Sequence, residues 1–184
     1  MATFLDPAQR PARAAEHAQY RLHRNAVDDP AYRRFLQPLA SALLHRLPAA
    51  RAGLDFGCGP GPALAMMLRE AGHDVALYDP LFAPDQQVLE RQYDFISCSE
   101  VVEHLHQPAA EFARFDRMLK PGGWLGIMTG FLTDDAAFAR WHYRRDPTHV
   151  VFYRGQTFAH LARQHSWRCE LPCTNVALLQ KGDA

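Results

Sequence analysis

A glycine-rich turn between a predicted strand and a predicted helix constrains the fold of this chain more than any other segment. Residues 54–61 read Leu-Asp-Phe-Gly-Cys-Gly-Pro-Gly, and a helical pattern begins at Pro62. Glycines allow a ligand to approach the backbone without Cβ atoms in the way. The N-terminus of the following helix carries a partial positive charge. The segment therefore predicts a binding site for a nucleotide-like molecule.

The pattern around this turn predicts an α/β fold. Predicted strands alternate with predicted helices from residue 50 onwards, until two strands follow each other near the C-terminus. Such alternation is typical of a doubly wound sheet that is mostly parallel and has an antiparallel C-terminal strand. Residues 14–47 have a helical pattern, so we expect residues 1–47 to form a helical cap on a core at 50–184. We expect the 184 residues to form a single domain.

Composition argues against several classes of protein. Lys and Arg together number 20, as do Asp and Glu, so no net charge attracts the chain to nucleic acid or to a membrane surface. No apolar run approaches the ~20 residues that span a bilayer. The N-terminus lacks the pattern of a signal peptide, and the four cysteines are not spaced as a disulfide framework. We therefore expect a cytoplasmic protein with a small-molecule partner.

Two carboxylates indicate which nucleotide-like molecule the glycine turn binds. The glycines follow a G-x-G-x-G spacing, whereas the dinucleotide fingerprint is G-x-G-x-x-G. Asp55, just before the first glycine, would repel a pyrophosphate but would pair with the ammonium group of S-adenosylmethionine. Asp79 ends the next predicted strand, where a carboxylate can accept two hydrogen bonds from ribose hydroxyls. These residues favour S-adenosylmethionine, and a nicotinamide-dependent oxidoreductase is the weaker alternative.

Three motifs resemble those of class I S-adenosylmethionine-dependent methyltransferases. Residues 54–61 are similar to the family's cofactor signature, 93–105 to its fourth-strand motif, and 119–125 to the turn before its fifth strand. The resemblance covers about residues 50–130, and it implies a seven-stranded Rossmann-like fold and methyl transfer. The cofactor-binding residues that it implies are Asp55, Gly57, Cys58, Gly59, Gly61, Asp79, Pro80, Ser99 and Glu100.

The chain departs from this family between Asp79 and Asp94. Only residues 80–93 separate the two positions, and the family usually fits a helix, a strand and an adenine-binding loop there. We therefore expect the sheet to be shortened between its second and fourth strands. The residue that bonds the adenine should be sought within 85–89.

A cluster of acidic and histidine residues follows the predicted fourth strand. Glu100, Glu103 and His104 share one face of a helical turn by their spacing. With His149 they would form a site of two carboxylates and two imidazoles, which suits Mg²⁺, Mn²⁺, Fe²⁺ or Zn²⁺. The Glu-x-x-Glu-His segment is similar to a metal-binding motif of ubiquinone-biosynthesis O-methyltransferases and of small-RNA 2′-O-methyltransferases. Without a metal, His149 or His104 could act as a general base beside Glu103.

Two segments mix aromatic, histidine and charged residues and could bind the methyl acceptor. They are residues 20–32 and residues 141–149. Arg144 and Arg145 could bind an anionic acceptor group, or they could pair with the acidic residues at 134–135. The leading hypothesis is O-methylation of a small molecule. Metal-assisted 2′-O-methylation of RNA is less favoured because the chain is neutral, and a non-catalytic, cofactor-binding partner subunit is a further alternative.

Overall fold

A six-stranded sheet forms the centre of the computed structural model, which describes residues 2–20, 26–136 and 138–183, apart from the side chain of residue 13. The strands in the described residues are β1 Thr3–Phe4, β2 Ala52–Phe56, β3 Asp74–Tyr78, β4 Tyr93–Ser99, β5 Leu119–Met128, β6 Val151–Phe152, β7 Arg168–Cys173 and β8 Val176–Gln180. The α-helices are α1 Arg13–Tyr20, α2 Pro30–Leu44, α3 Ala63–Glu70, α4 Pro108–Met118 and α5 Gly155–Gln164.

The strand order is β3-β2-β4-β5-β8-β7. Strands β2 to β5 pair in parallel, whereas β8 runs antiparallel to both β5 and β7. The predicted mostly parallel, Rossmann-like sheet with an antiparallel C-terminal strand is thus confirmed. Within the described residues this sheet has six strands rather than seven. The reason is that only residues 79–92 connect β3 to β4, with a short 3₁₀ turn at Gln86–Glu90, whereas a further parallel strand would need two crossovers of a dozen or more residues each.

Helices cover both faces of the sheet and bury two apolar layers. On one face α4 and α5 contribute Phe112, Phe115 and Phe158 to a buried cluster. On the other face α2 and α3 contribute Leu39 and Leu68, among others. Because both faces are covered, the central strands are largely buried, and Leu54, Ile96 and Leu125 are fully removed from water.

The N-terminal part of the chain packs on this core. Helix α2 begins at Pro30, where the Asp29 carboxylate accepts a hydrogen bond from the Ala31 N–H at 2.8 Å. Pro38 lies inside α2, which continues past it to Leu44 although a proline removes one helical hydrogen bond and crowds the preceding turn. Strand β1 pairs with β6, which places the first residues beside the segment that precedes β6. Among the described helices, none combines the length and apolar character needed to cross a bilayer.

Candidate functional site

The glycine turn after β2 has a backbone conformation that favours glycine. Gly57 and Gly59 adopt left-handed φ angles of 76° and 62°. The N–H groups of Gly57 and Cys58 donate to the Tyr78 carbonyl at 2.7 and 3.1 Å, which ties the turn to the end of β3. A Cβ atom on Gly57 would lie 2.4 Å from the Val101 side chain, so this position has no room for one. Nothing lies within 4 Å of the corresponding position on Gly59, which leaves that side open to a ligand.

Asp79 connects the glycine turn to the loop that follows β3. One carboxylate oxygen accepts a hydrogen bond from the Gly59 N–H at 3.1 Å. The other accepts from the N–H groups of Leu81 and Phe82 at 2.8 and 3.1 Å. The side chain is thereby held at the carboxyl edge of the sheet, which is where ligands bind in open α/β folds.

A cavity of about 810 Å³ lies at this edge. It is lined by seven of the nine cofactor-binding residues that the resemblance implied: Gly57, Cys58, Gly59, Asp79, Pro80, Ser99 and Glu100. The side chains of His104 and His149 line the same cavity, whereas Asp55, Gly61 and Glu103 are absent from its lining. The structure therefore brings most of the predicted cofactor residues and two of the predicted catalytic residues to one space.

Asp55 lies beneath the glycine turn. Its carboxylate accepts a hydrogen bond from the Ser97 hydroxyl at 2.7 Å and another from the Ala65 N–H at the start of α3. Burial raises the pKa of this carboxyl group to about 6, from an ordinary value of 3.8, although the Ser97 bond opposes the shift. Asp55 thus links β2, β4 and α3, and its direct pairing with a cofactor ammonium group stays a prediction.

The raised pKa of Asp55 predicts a pH-dependent change in stability. The folded state binds this proton more tightly than the unfolded state, so the stabilising contribution is full below about pH 4 and is lost as the pH rises through 6. The shift corresponds to about 3 kcal/mol. The asparagine in the Asp55→Asn variant cannot titrate, so this loss is absent there. Between about pH 4 and pH 7, the free energy of unfolding of the variant should therefore rise by about 3 kcal/mol relative to that of the natural chain. Urea unfolding at both pH values would measure this, and equal pH slopes for the two proteins would contradict it.

Glu100 and Glu103 meet at the hydroxyl group of Tyr143. This hydroxyl lies 3.1 Å from Glu100 Oε2, 2.5 Å from Glu103 Oε1 and 3.0 Å from Thr129 Oγ1. The Thr129 hydroxyl also donates to Glu103 Oε2 at 2.9 Å. Burial raises the pKa of both carboxyl groups, and the charge of Glu103 adds to the effect at Glu100. Burial and the same two charges raise the pKa of Tyr143, so its hydroxyl group stays protonated.

The backbone after β4 directs Glu100 into the cavity. Glu100 has a left-handed φ of 52°, which is uncommon for a residue other than glycine. Its N–H donates to the Met128 carbonyl at 2.8 Å, which holds the turn against the end of β5. Such conformations cost about 1–3 kcal/mol and cluster at functional sites. Glu103 follows on a short 3₁₀ turn at Val102–His104 and is fully buried.

Both histidines of the cluster are oriented by main-chain carbonyls. Nδ1 of His104 lies 3.0 Å from the Thr148 carbonyl, and Nδ1 of His149 lies 2.7 Å from the Tyr143 carbonyl. A carbonyl can only accept, so Nδ1 carries a proton in both rings, and in the neutral imidazole Nε2 carries the lone pair. The two ring centroids are 4.8 Å apart. The Asp146 carboxylate is 4.0 Å from Nε2 of His149.

Three of the four predicted metal ligands form a group that could hold a metal ion. One ligand atom from each of Glu103, His104 and His149 lies within 4.8 Å of the others, and Glu100 is outside this group. Two ligand atoms on one Zn²⁺ ion are at most about 4.2 Å apart, so the group must close slightly to bind one. Nδ1–H bonds to backbone carbonyls are the usual outer support of metal-bound histidines. The residues therefore fit a first-row divalent ion of the kind that imidazole prefers.

The predicted acceptor segments flank the cavity in part. Tyr20 and Tyr32 line it, and residues 21–25 lie outside the described residues. Arg144 donates to the Ala139 carbonyl and covers the Phe138 ring, so it does not pair with residues 134–135.

Several cavity residues were missed by sequence reasoning. Phe82 follows Asp79 and is 38% exposed. Glu16 of α1 also lines the cavity and lies 2.7 Å from Nε2 of His106. Phe35 of α2 stacks against Tyr32 with ring centroids 6.3 Å apart. None of these residues belongs to a motif, and only the folded chain brings them to one cavity.

Comparison with known proteins agrees with this geometry. A family model described as a methyltransferase domain matches residues 31–170. The ubiquinone biosynthesis O-methyltransferase of Serratia proteamaculans is 31% identical over 77 residues, which are 42% of this chain and 32% of that relative. The chain therefore spans about a third of the length of this curated relative.

Solved structures share the fold at low sequence identity. The 1,6-didemethyltoxoflavin-N1-methyltransferase of Burkholderia thailandensis, solved with S-adenosylhomocysteine, has a TM-score of 0.60 and 19% identity over 99% of this chain and 95% of that one. An O-methyltransferase family protein from the same organism has a TM-score of 0.64 and 15% identity, over 97% of this chain and 66% of that one. Since the family model spans well over half of the residues and the glycine turn and sheet agree with it, the chain belongs to the class I S-adenosylmethionine-dependent methyltransferase family.

Proposed function

We propose that the protein transfers the methyl group of S-adenosylmethionine to a hydroxyl group of a small-molecule acceptor. One observation carries the proposal: a single cavity is lined both by the glycine turn with Asp79 and by Glu100, His104 and His149. Groups that share one enclosed space can hold a methyl donor and an acceptor oxygen in line, which is the main requirement of this reaction. The neutral charge of the chain supports a small acceptor over RNA.

The cofactor would lie along the carboxyl edge of the sheet. Gly57 and Gly59 would face its methionine end, and Asp79 with Pro80 would bind its ribose. Ser99 and Glu100 would lie near the sulfonium. Asp55 would act from below by holding the turn, since it bonds Ser97 and the start of α3.

The residues that would activate the acceptor hydroxyl are Glu103, His104 and His149. Each imidazole directs the lone pair of Nε2 away from the carbonyl that fixes Nδ1, and it can offer that lone pair to a divalent ion or to the hydroxyl proton. When bound, a divalent ion would lower the pKa of the acceptor hydroxyl. Without a metal the hydroxyl proton would pass to Nε2 of a histidine, and with a metal bound it would pass to solvent. In either case the methyl group moves from the sulfonium sulfur to the acceptor oxygen, and the carbon–sulfur bond breaks to leave neutral S-adenosylhomocysteine.

The same proposal includes the organisation and location of the chain. Residues 1–47 would form a cap that belongs to one domain with the core at 50–184, since α2 contributes Leu39 and Leu43 to the buried cluster over β5. A cytoplasmic location is supported by the cysteines, because all four are free thiols.

Calorimetry with S-adenosylhomocysteine tests the proposal first. We expect a dissociation constant in the micromolar range, which corresponds to about −8 kcal/mol. Incubation with S-adenosylmethionine and a panel of phenols, catechols and matched anilines, followed by mass spectrometry, then tests O-methylation. Absence of S-adenosylhomocysteine binding would refute the proposal, and binding of NADH instead would indicate an oxidoreductase. Cofactor binding with no methylated product would favour a partner subunit.

A further inference from the structure

Tyr143 touches two members of the Glu103–His104–His149 group through two different parts of the same residue. Its side-chain hydroxyl lies 2.5 Å from Glu103 Oε1. Its main-chain carbonyl accepts the hydrogen bond from Nδ1 of His149 at 2.7 Å. The two contacts join the turn after β4 to the segment before β6, which the sequence separates by about 40 residues.

The hydroxyl contact determines which way the Glu103 carboxylate faces. Thr129 binds one oxygen of this carboxylate at 2.9 Å, and Tyr143 binds the other. Glu103 is fully buried, so water does not replace either donor. Thr129, Tyr143 and a side-chain hydrogen bond with Glu100 therefore hold this carboxyl group together, and one of its oxygens lies within 4.8 Å of a ring nitrogen of each imidazole.

The carbonyl contact determines which nitrogen His149 presents. With Nδ1 protonated and bonded to Tyr143, the lone pair is on Nε2, the atom that a metal ion would bind. The ring of Tyr143 also packs on His149 with centroids 4.1 Å apart, and it stacks on Trp141 at 5.0 Å. The residue is therefore itself fixed, as a support for ligand side chains must be.

We propose that Tyr143 is a positioning residue that sets Glu103 and His149 in the geometry required to bind a first-row divalent metal ion. The inference rests on one part of the proposed function, namely that Glu103, His104 and His149 bind a metal ion. Outer contacts of this kind change metal affinity by about 10–100-fold when they are removed. Tyr143→Phe keeps the ring, its stacking and the carbonyl, and removes only the hydroxyl.

The test uses Co²⁺ as the probe, with calorimetry for affinity and the absorption spectrum for the ligand type. The spectrum separates imidazole and carboxylate ligation from binding by the thiols of Cys169 and Cys173. Tyr153→Phe is the matched control. The Tyr153 hydroxyl is also buried, yet it has no hydrogen-bond partner among the described residues. S-adenosylhomocysteine affinity is measured on all three proteins as a readout of the intact fold.

We expect Tyr143→Phe to bind Co²⁺ about 10–100-fold more weakly than the natural chain, with cofactor affinity unchanged and Tyr153→Phe like the natural chain. Equal Co²⁺ affinity in Tyr143→Phe would overturn the inference, as would an equal loss in Tyr153→Phe. A natural chain that binds the cofactor but no Co²⁺ would overturn the inference and leave methyl transfer standing. A chain that binds Co²⁺ in the expected order but no cofactor would refute the proposed function alone.

Discussion

Replacing Asp79 with alanine is expected to weaken S-adenosylhomocysteine binding by about 100-fold or more. In the proposed complex this carboxylate accepts hydrogen bonds from both ribose hydroxyls, and bonds to a charged group contribute about 1.5–3 kcal/mol each. A loss of about 3 kcal/mol is more than a hundredfold in affinity. The same side chain also holds the N–H groups of Gly59, Leu81 and Phe82, so its loss would loosen both loops that face the ribose.

A control on the strand before Asp79 tests whether the effect is specific. Asp74 is exposed at the start of β3, at the other end of the strand from Asp79. Asp74→Ala therefore removes a carboxylate outside the cavity lining, and cofactor affinity should stay within about threefold of the natural value, or under 0.7 kcal/mol. A 2′-deoxy analogue of S-adenosylhomocysteine should bind the natural chain more weakly than the parent compound and Asp79→Ala about equally. Preserved discrimination in Asp79→Ala would contradict the ribose contact.

His149→Ala is expected to lower kcat by about 10²–10⁴-fold, the range usually lost with a positioned acid–base group. His149 is 7% exposed and lines the cavity, and the Tyr143 carbonyl holds its Nδ1. Alanine removes the group whether Nε2 binds a metal or the acceptor proton. Cofactor affinity should change little, since the glycine turn and Asp79 do not contact this ring. Turnover of the acceptor identified in the panel, with calorimetry on S-adenosylhomocysteine, measures both quantities.

The neighbouring His142 provides the control for this variant. It is exposed in the same segment and is absent from the cavity lining. His142→Ala should therefore retain nearly full turnover. The role given to His149 would be refuted if kcat fell by less than about threefold, or if His142→Ala lost as much activity. A parallel loss of cofactor affinity in His149→Ala would point to damage of the fold.

Local signals in the sequence predicted the glycine turn and the strand end that line the cavity. The glycines at 57 and 59 were expected from the strand-to-helix turn, and both have the left-handed φ that only glycine adopts easily. Asp79 was expected at the end of a strand, and it lies there with its carboxylate fixed. These features depend on residues close in sequence, so periodicity and turn chemistry are sufficient to find them.

Asp55 and the shortened sheet show where such signals lose precision. The spacing placed Asp55 beside the ligand, but its side chain is buried beneath the turn, where Ser97 of the neighbouring strand holds it. The short segment at 80–93 predicted that the sheet would be shortened between its second and fourth strands. Only the strand pairing shows that β3 ends the sheet on that side. Whether a side chain faces a cavity or a neighbouring strand depends on pairing between distant segments.

The sequence by itself determined the family, the alternating order of strands and helices, and the glycine turn that lines the cavity. Those properties follow from short-range patterns of glycine, carboxylate and apolar residues. The tertiary structure alone decided that Tyr143 joins Glu103 to His149, that Glu100 lies outside the possible metal group, and that Glu16 of α1 contacts His106 at the cavity. The reason is physical: hydrogen bonds between residues 40 or 90 positions apart exist only after the sheet and its helices have packed.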